Sequence, residues 1–235
     1  MSKAGQDNFN GYYKLEMHAH TGGVFRCCEV DADQVPLFFK RNGYGGVVIT
    51  NHFFKNNLLK WGLNWSRSID KFYSIFSKAK EAGDECGIKV FFGIELSLDG
   101  NVNDILIYGL TKKLLKETRG IFDFDYKQLY EWAEKNELLL YQAHPSRHYC
   151  TFLGKDVLHG VEAYNGTKAR EEYVSCNERA VDLAKKYGMY QISGSDFHGL
   201  NEKPTGGILV PNWVKTGKGL VKFLKMGQPR MIGIE

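Results

Sequence analysis

The chain has 235 residues, of which 43% are hydrophobic and 25% are charged, as in an ordinary globular protein. No segment approaches the roughly 18 apolar residues of a membrane span, and the N-terminal MSKAGQDNFNG lacks the apolar stretch of a secretory signal. The net charge of +4 is compatible with an anionic small substrate and is too small to indicate nucleic-acid binding by itself.

Strand-like apolar runs alternate with helix-like segments along the chain, without a repeat or a linker, which favours one domain over residues 1–235. Predicted strands cover residues 14–18, 46–50, 89–95, 104–108, 138–143, 160–164, 191–194, 208–210 and 231–234. Predicted helices cover residues 33–41, 66–86, 126–136, 169–187 and 218–226, and three of them stop at or just before a glycine. Seven or more strands with intervening helices predict an α/β barrel or a doubly wound sheet.

Side chains that bind metal ions follow the predicted strands. His18 and His20 close the first strand, and residues at i and i+2 point to the same side of an extended chain. The later strand ends are followed by His52, Glu95, His144, Asn165, Asp196 and His198, so that five of the seven histidines lie at strand ends. Because the carboxyl ends of barrel strands meet at one mouth, this pattern predicts a metal-dependent enzyme.

Each of these residues also has an ordinary explanation when it is taken alone. A strand-end histidine is usually a hydrogen-bonded side chain, Glu95 caps a helix or pairs with a lysine, and Asp196 starts a turn. Five imidazoles and two carboxylates at one mouth are nevertheless costly to bury without a common partner. We therefore interpret them together as ligands of divalent metal ions.

The five cysteines are odd in number and unevenly spaced: Cys27, Cys28, Cys86, Cys150 and Cys176. An adjacent pair is a poor disulfide candidate, and the sequence has no C-x-x-C motif. We interpret the cysteines as reduced, ordinary thiols and expect a cytoplasmic protein.

The ordered motifs HAHTGG, ITNHF, GIEL, QAHPSR, EAYNG and GSDFH resemble those of the PHP (polymerase and histidinol phosphatase) superfamily, from Met17 to about His198. The resemblance implies a distorted seven-stranded (β/α)7 TIM-like barrel with two to three divalent metals (Zn, Mn or Fe) and a phosphoesterase activity. It assigns one metal to His18, His20, Glu95 and Asp196, with Glu95 as a bridge to a second metal on His144. His52 and His198 resemble the ligands of a third metal.

The chain departs from the family pattern at three positions. The loop GGVFRCCE replaces an acid or histidine that often follows the first H-x-H, and leaves Cys27, Cys28 or Glu29 as substitutes at the third metal. Asn51 stands where relatives carry an aspartate, which removes an outer carboxylate. The fourth strand offers Tyr108 where some relatives have a histidine, so that water or substrate completes the shell of the second metal.

The expected reaction is hydrolysis of a small phosphorylated metabolite or nucleotide by a metal-activated water. Glu95 is the expected bridge, Asp196 a terminal ligand, and His198 the general acid where it does not bind metal. Arg147 has the planar fork that suits a phosphate, although a surface ion pair also explains it. Further substrate-binding candidates are Asn165, Arg26 and Lys168.

Two other functions remain open at this stage. A metal-dependent amidohydrolase uses a similar barrel and an H-x-H start, but usually adds a metal-bridging lysine, and no lysine follows a strand suitably here. A PHP-like module that binds metals and supports a partner structurally is the alternative without catalysis. Nucleic acid is a less favoured substrate because the sequence has no basic aromatic stripe.

Overall fold

The computed structural model describes residues 10–167, 172–201 and 203–234. Its strands are β1 (Tyr12–Ala19), β2 (Gly46–Ile49), β3 (His52–Phe53), β4 (Lys89–Ser97), β5 (Asp104–Tyr108), β6 (Leu139–Gln142), β7 (Gly160–Asn165), β8 (Tyr190–Gly194) and β9 (Ile208–Pro211). Its helices are α1 (Gln34–Arg41), α2 (Lys55–Leu59), α3 (Trp65–Cys86), α4 (Lys112–Glu117), α5 (Tyr126–Lys135), α6 (Glu172–Tyr187) and α7 (Gly217–Lys225).

Local signals in the sequence set the helix ends. The Asn64 side chain accepts a hydrogen bond from the backbone of α3, and that helix ends at Gly87 in a left-handed conformation (φ 77°). Helix α5 begins with a reciprocal capping box between Asp125 and Gln128. These ends fix where each helix returns the chain to the sheet.

The strands form a single path in the order β8-β7-β6-β5-β4-β2-β1-β9, with β3 paired to β4. Strands β1, β2 and β4 are mutually parallel, and β6, β7 and β8 form a second parallel group. Strand β5 is antiparallel to both of its neighbours, β4 and β6. The start of β5 therefore lies at the same edge of the sheet as the carboxyl ends of the parallel strands.

The β8 end of this path meets β1 at that same edge, so that the barrel is nearly closed. The chain beyond β8 pairs with the end of β1 through a parallel bridge between Ala19 and Phe197. Backbone hydrogen bonds run from His20 N to Phe197 O (3.0 Å) and from Phe197 N to His18 O (3.2 Å). Strand β9 pairs antiparallel with the first half of β1.

Alternation along the strands divides the apolar residues into two clusters. The outer cluster joins one face of the sheet to helices α1, α3 and α5. The inner cluster takes residues such as Met17, Val48, Phe91 and Leu106 from strands around the whole path, and α7 packs against it. Glu95 lies four residues after Phe91 on β4, and the period-2 geometry of a strand therefore turns its side chain to the barrel interior.

The predicted α/β barrel is confirmed, and β9 adds an eighth strand to the path. The strand predicted over 231–234 is wrong, because Met231 makes only an isolated bridge to Ile208. The start of the helix predicted over 169–187, together with Lys168, lies outside the described residues. Sequence analysis did not predict β3, α2 or α4, which are short elements of two to six residues. None of the described helices is long and apolar enough to span a membrane.

Candidate metal centre

Histidine and carboxylate side chains on or just after seven strands meet at the mouth of the barrel. Strand β1 contributes His18, with His20 just after it, and β3 and β4 contribute His52 and Glu95. The remaining residues are Asp104 at the start of β5, His144 after β6, Glu162 and Asn165 on β7, and Asp196 and His198 after β8. The predicted ligand residues are thus brought together, and all except His52 and His198 are buried.

Glu95 is the centre of this cluster. Its Oε1 lies 3.3 Å from His18 Nε2 and 3.2 Å from His144 Nε2. Its Oε2 lies 3.6 Å from His20 Nε2 and 2.6 Å from His52 Nδ1. One carboxylate therefore touches four imidazoles, which is the arrangement expected of a group that bridges two ligand sets.

Asp196 closes the cluster from the opposite side of the barrel. Its Oδ1 lies 3.4 Å from His18 Nε2 and 3.3 Å from His20 Nε2. The residue has a positive φ of 51°, a conformation that aspartate tolerates better than most side chains. Asp196 is therefore held in an uncommon backbone conformation, with its carboxylate beside His18, His20 and Arg147.

The described residues contain three sets in which the ligand atoms lie within 4.8 Å of one another. The sets are His18, His20 and Glu95; Glu95, Asp104 and His144; and His20, His52 and His198. In two places in this cluster, buried polar atoms lie close together without forming favourable hydrogen bonds. His20 Nδ1 and Glu95 Oε2 are buried without a hydrogen-bond partner among the described residues, even though His52 Nδ1 approaches Glu95 Oε2 closely. The Nε2 atoms of His18 and His20 face each other at 3.1 Å. Nitrogen and oxygen donors that converge in this way fit divalent metal ions.

The protonation states of the acids suit metal binding. Burial alone raises the pKa of Glu95, but the neighbouring His52 and His18 outweigh it and hold that pKa well below its usual range. Burial also raises the pKa of Asp196, but the neighbouring His18 opposes this effect, and the pKa of Asp196 lies well below its usual range. Burial and the nearby His52 lower the pKa of His20, so that its ring is neutral, which is the form that binds metals.

Two buried carboxylates support the ligands from behind, and sequence analysis missed both. Glu162 accepts hydrogen bonds from His18 Nδ1 (2.9 Å), from the backbone of His144 (2.9 Å) and from Asn165 Nδ2 (2.8 Å). Glu16 accepts from the backbone of His18 and from both the backbone and hydroxyl of Ser195. An acid within a run of buried strand residues is the sequence signal that marks both of them.

Asp104 is a further candidate ligand that sequence analysis missed. At the end of β5, where a ligand was expected, the sequence offers Tyr108. The Tyr108 hydroxyl instead donates to Met17 O at 3.0 Å inside the barrel. Asp104 Oδ2 lies 4.0 Å from His144 Nε2. The link between β4 and β5 is residues 98–103, too short for a parallel crossover, so the spacing of the two strands indicates an antiparallel β5.

The predicted substrate-binding residues lie at different distances from the cluster. Arg147 donates from Nη2 to Asp196 Oδ2 (2.8 Å) and to Asn165 Oδ1 (3.2 Å), so both residues are at the mouth. Arg26 is exposed in the loop after β1 and lines a shallow recess with Lys60. The structure thus places Arg147 and Asn165 beside the candidate metal centre, with Arg26 farther out.

The loop after β1 separates the residues that sequence analysis left as alternatives. Cys27 lines a small recess with His20 and His52, whereas Cys28 is buried in the outer apolar cluster and Glu29 is exposed. Burial opposes ionisation of Cys27, but its interactions with His198 and His52 outweigh burial and lower the pKa of the thiol to about 7. Asn51 accepts from Thr21 N at 2.7 Å and so fixes the start of this loop.

No protein-family model and no curated protein matches this chain. Among solved structures, a two-domain protein from Bacteroides vulgatus that contains a predicted PHP-like metal-dependent phosphoesterase is similar to it, with a TM-score of 0.66, at 16% identity, over 94% of this chain and 65% of that chain. Endonuclease Q, in complex with a 27-mer duplex carrying an abasic lesion, gives a TM-score of 0.60 at 12% identity over 93% of this chain and 58% of its own. An amidohydrolase from Chromobacterium violaceum gives 0.54 at 13% identity over 83% and 90%.

The chain therefore has a PHP-type fold, as its motifs predict. It spans less than two thirds of the Bacteroides protein and of Endonuclease Q.

Proposed function

We propose that this chain is a metal-dependent hydrolase that cleaves a phosphate ester of a small metabolite or nucleotide. The observation that supports it most directly is Glu95, a buried carboxylate in contact with four imidazoles inside a PHP-type barrel. Burying such a cluster carries a large desolvation free energy, so the cluster stabilises a fold less well than apolar side chains do. Its presence at the mouth of a barrel, where active sites lie, favours a catalytic role.

In this proposal two to three divalent ions of the Zn, Mn or Fe class bind at the mouth. His18, His20, Glu95 and Asp196 hold the first, with Glu95 shared by the second. His144 and Asp104 belong to the second, and His52 and His198 to the third. Divalent ions bound there supply an acidified water and neutralise charge on the attacking and leaving oxygens.

The protein's own groups bind and orient the substrate. Arg147 presents a guanidinium whose fork matches two phosphate oxygens, and Asn165 holds its Nη2 in place. Asn165 is held in turn by Glu162, so the buried carboxylate that orients His18 also positions Arg147. His198 lies at the rim, partly exposed, and is placed either to bind metal or to protonate a leaving oxygen.

Metal analysis and a rate measurement on one preparation test the proposal. We expect two to three metals per chain by elemental analysis, and phosphate release from p-nitrophenyl phosphate when Mn²⁺ or Zn²⁺ is added. Glu95→Gln should abolish both, whereas Glu134→Gln, which alters a carboxylate paired with His159 away from the mouth, should leave both unchanged. Metal-loaded protein that releases no phosphate from this ester or from a panel of phosphorylated metabolites and nucleotides would contradict the proposal.

An amidohydrolase is the second candidate, favoured by the structural likeness to the Chromobacterium violaceum protein. Against it, the ion pairs of lysines in the described residues join surface acids and not the carboxylates of the cluster. Hydrolysis of an N-acetylated amino acid, without phosphate release, would support it. Bound metal with neither activity would favour a structural module, and cleavage of a DNA duplex with an abasic site would favour a nucleic-acid substrate.

A further inference from the structure

The loop after β1 brings one of its two adjacent cysteines to the metal cluster. Gly22 N donates to Val30 O at 2.7 Å and ties the base of the loop together. Cys28 turns inward to the outer apolar cluster. Cys27 points away from that cluster and lines a small recess together with His20 and His52, and its thiol interacts with the rings of both His52 and His198.

The imidazoles beside Cys27 have a second feature of a ligand site. His20 packs on His52 and on His198, with ring centroids 4.2 Å and 4.3 Å apart. The Nδ1 atom of His20 is buried and has no hydrogen-bond partner among the described residues. Three imidazoles therefore stack at one place, together with a thiol that faces them and a buried nitrogen to which the described part of the chain offers no partner.

We infer that Cys27 is a metal ligand, and that its thiolate completes the set formed by His52 and His198. The inference rests on the proposed metal-dependent function. A thiolate with imidazoles is a donor set for zinc, cobalt or ferrous iron, whereas magnesium and calcium prefer oxygen ligands. This position is accordingly selective for borderline transition metals, and His198 serves it as a ligand and not as a general acid. Binding releases the thiol proton, because the thiolate is the coordinating form.

Cobalt substitution tests this assignment without a substrate. Metal-free protein is loaded with Co²⁺, the excess is removed, and the near-ultraviolet spectrum and cobalt content are measured. We expect a thiolate-to-cobalt charge-transfer band in the wild type. Cys27→Ser should lose the band and one cobalt per chain. Cys27→Asp should regain the cobalt without the band, because an oxygen replaces the sulfur.

Two cysteines provide matched controls. Cys28→Ser changes the neighbouring thiol, which faces the core, and Cys150→Ser changes a thiol beside His144 on the other side of the cluster. Both variants should keep the band and the full cobalt content. A band that persists in Cys27→Ser, that disappears only in Cys150→Ser, or that is missing from fully loaded wild type would overturn the assignment.

The same samples separate this inference from the proposed function. Protein that shows the Cys27-dependent band but hydrolyses no phosphate ester keeps the ligand assignment and loses the proposed activity. Protein that hydrolyses the ester without the band keeps the activity and loses the assignment. Protein that binds no cobalt contradicts both.

Discussion

Glu162 offers the sharpest test of how the barrel prepares its ligands. Its Oε1 accepts from His18 Nδ1, which fixes the ring proton on that nitrogen and leaves Nε2 free to bind a metal. Its Oε2 accepts from the backbone of His144 and from Asn165. Glu162→Gln keeps the volume but turns one oxygen into a donor, so that at least one of the three donors faces another donor whichever way the amide points.

The expected loss of metal affinity follows from the strength of the hydrogen bond that Glu162→Gln removes. A hydrogen bond to a charged group contributes about 1.5–3 kcal/mol. If that loss falls on the metal-binding form of His18, it corresponds to a roughly 10- to 100-fold weaker metal affinity, since about 1.4 kcal/mol is tenfold. This range agrees with the roughly 10- to 100-fold cost of removing outer carboxylates at metal sites in general.

A competition titration with a chromophoric chelator measures this affinity directly. Wild type and Glu162→Gln are compared with Glu134→Gln, which breaks a similar carboxylate–histidine pair, Glu134 Oε1 to His159 Nε2 at 2.8 Å, outside the cluster. Circular dichroism establishes that each variant is folded. An affinity for Glu162→Gln within twofold of the wild type, in folded protein, would refute the claim that this carboxylate sets the ring orientation of His18.

Four further outcomes are expected. Asp196→Asn should fold, bind less metal and lose roughly 10²-fold in rate, as when a group acting on transition-state charge is removed; full metal and full rate would make Asp196 a turn residue. Arg147→Ala should lower kcat/KM at unchanged metal content, and Arg147→Lys should restore it only in part, since an ammonium lacks the planar fork; unchanged kinetics would limit Arg147 to its structural pairing with Asp196. Chelation should lower Tm reversibly, because metal at 100 times its Kd stabilises the fold by about 2.7 kcal/mol; a Tm insensitive to chelator would argue against resident metals. Gly206→Ala should destabilise by about 1–3 kcal/mol or more, because a new Cβ would lie 2.1 Å from the Gly194 carbonyl carbon; Gly154→Ala, with nothing within 4 Å, is its control in thermal unfolding.

The residues at the ends of the parallel strands were predictable from sequence for a geometric reason. Each strand is an apolar run with a clear end, and parallel strands in a barrel bring their carboxyl ends together. His18, His52, Glu95 and His144 therefore needed no knowledge of the loops between them. The strand-end rule depends only on local pattern and on chain direction, and it holds wherever the direction is the expected one.

The residues that sequence analysis missed, and the cysteines that it left as alternatives, break that rule in different ways. Asp104 lies at the start of its strand, because β5 runs against its neighbours, and chain direction is not written in a strand's own residues. Glu162 sits inside a buried strand, where an acid is explained only by partners on other strands. Cys27 and Cys28 are adjacent residues of the same type, and only the conformation of the loop determines which one faces the histidines.

The closure of the barrel has a consequence for how the chain folds. Glu16 and Ser195, which join β1 to the ligand-bearing segment after β8, are 179 positions apart in sequence. Bringing such distant segments together costs chain entropy before any contact forms, so we expect this seam to form late in folding. During synthesis, His18 and His20 cannot contact Asp196 until nearly the whole barrel has been made. Interactions made only at this stage act mainly on the rate of unfolding, so resident metals should lengthen the lifetime of the folded barrel while leaving its refolding rate almost unchanged.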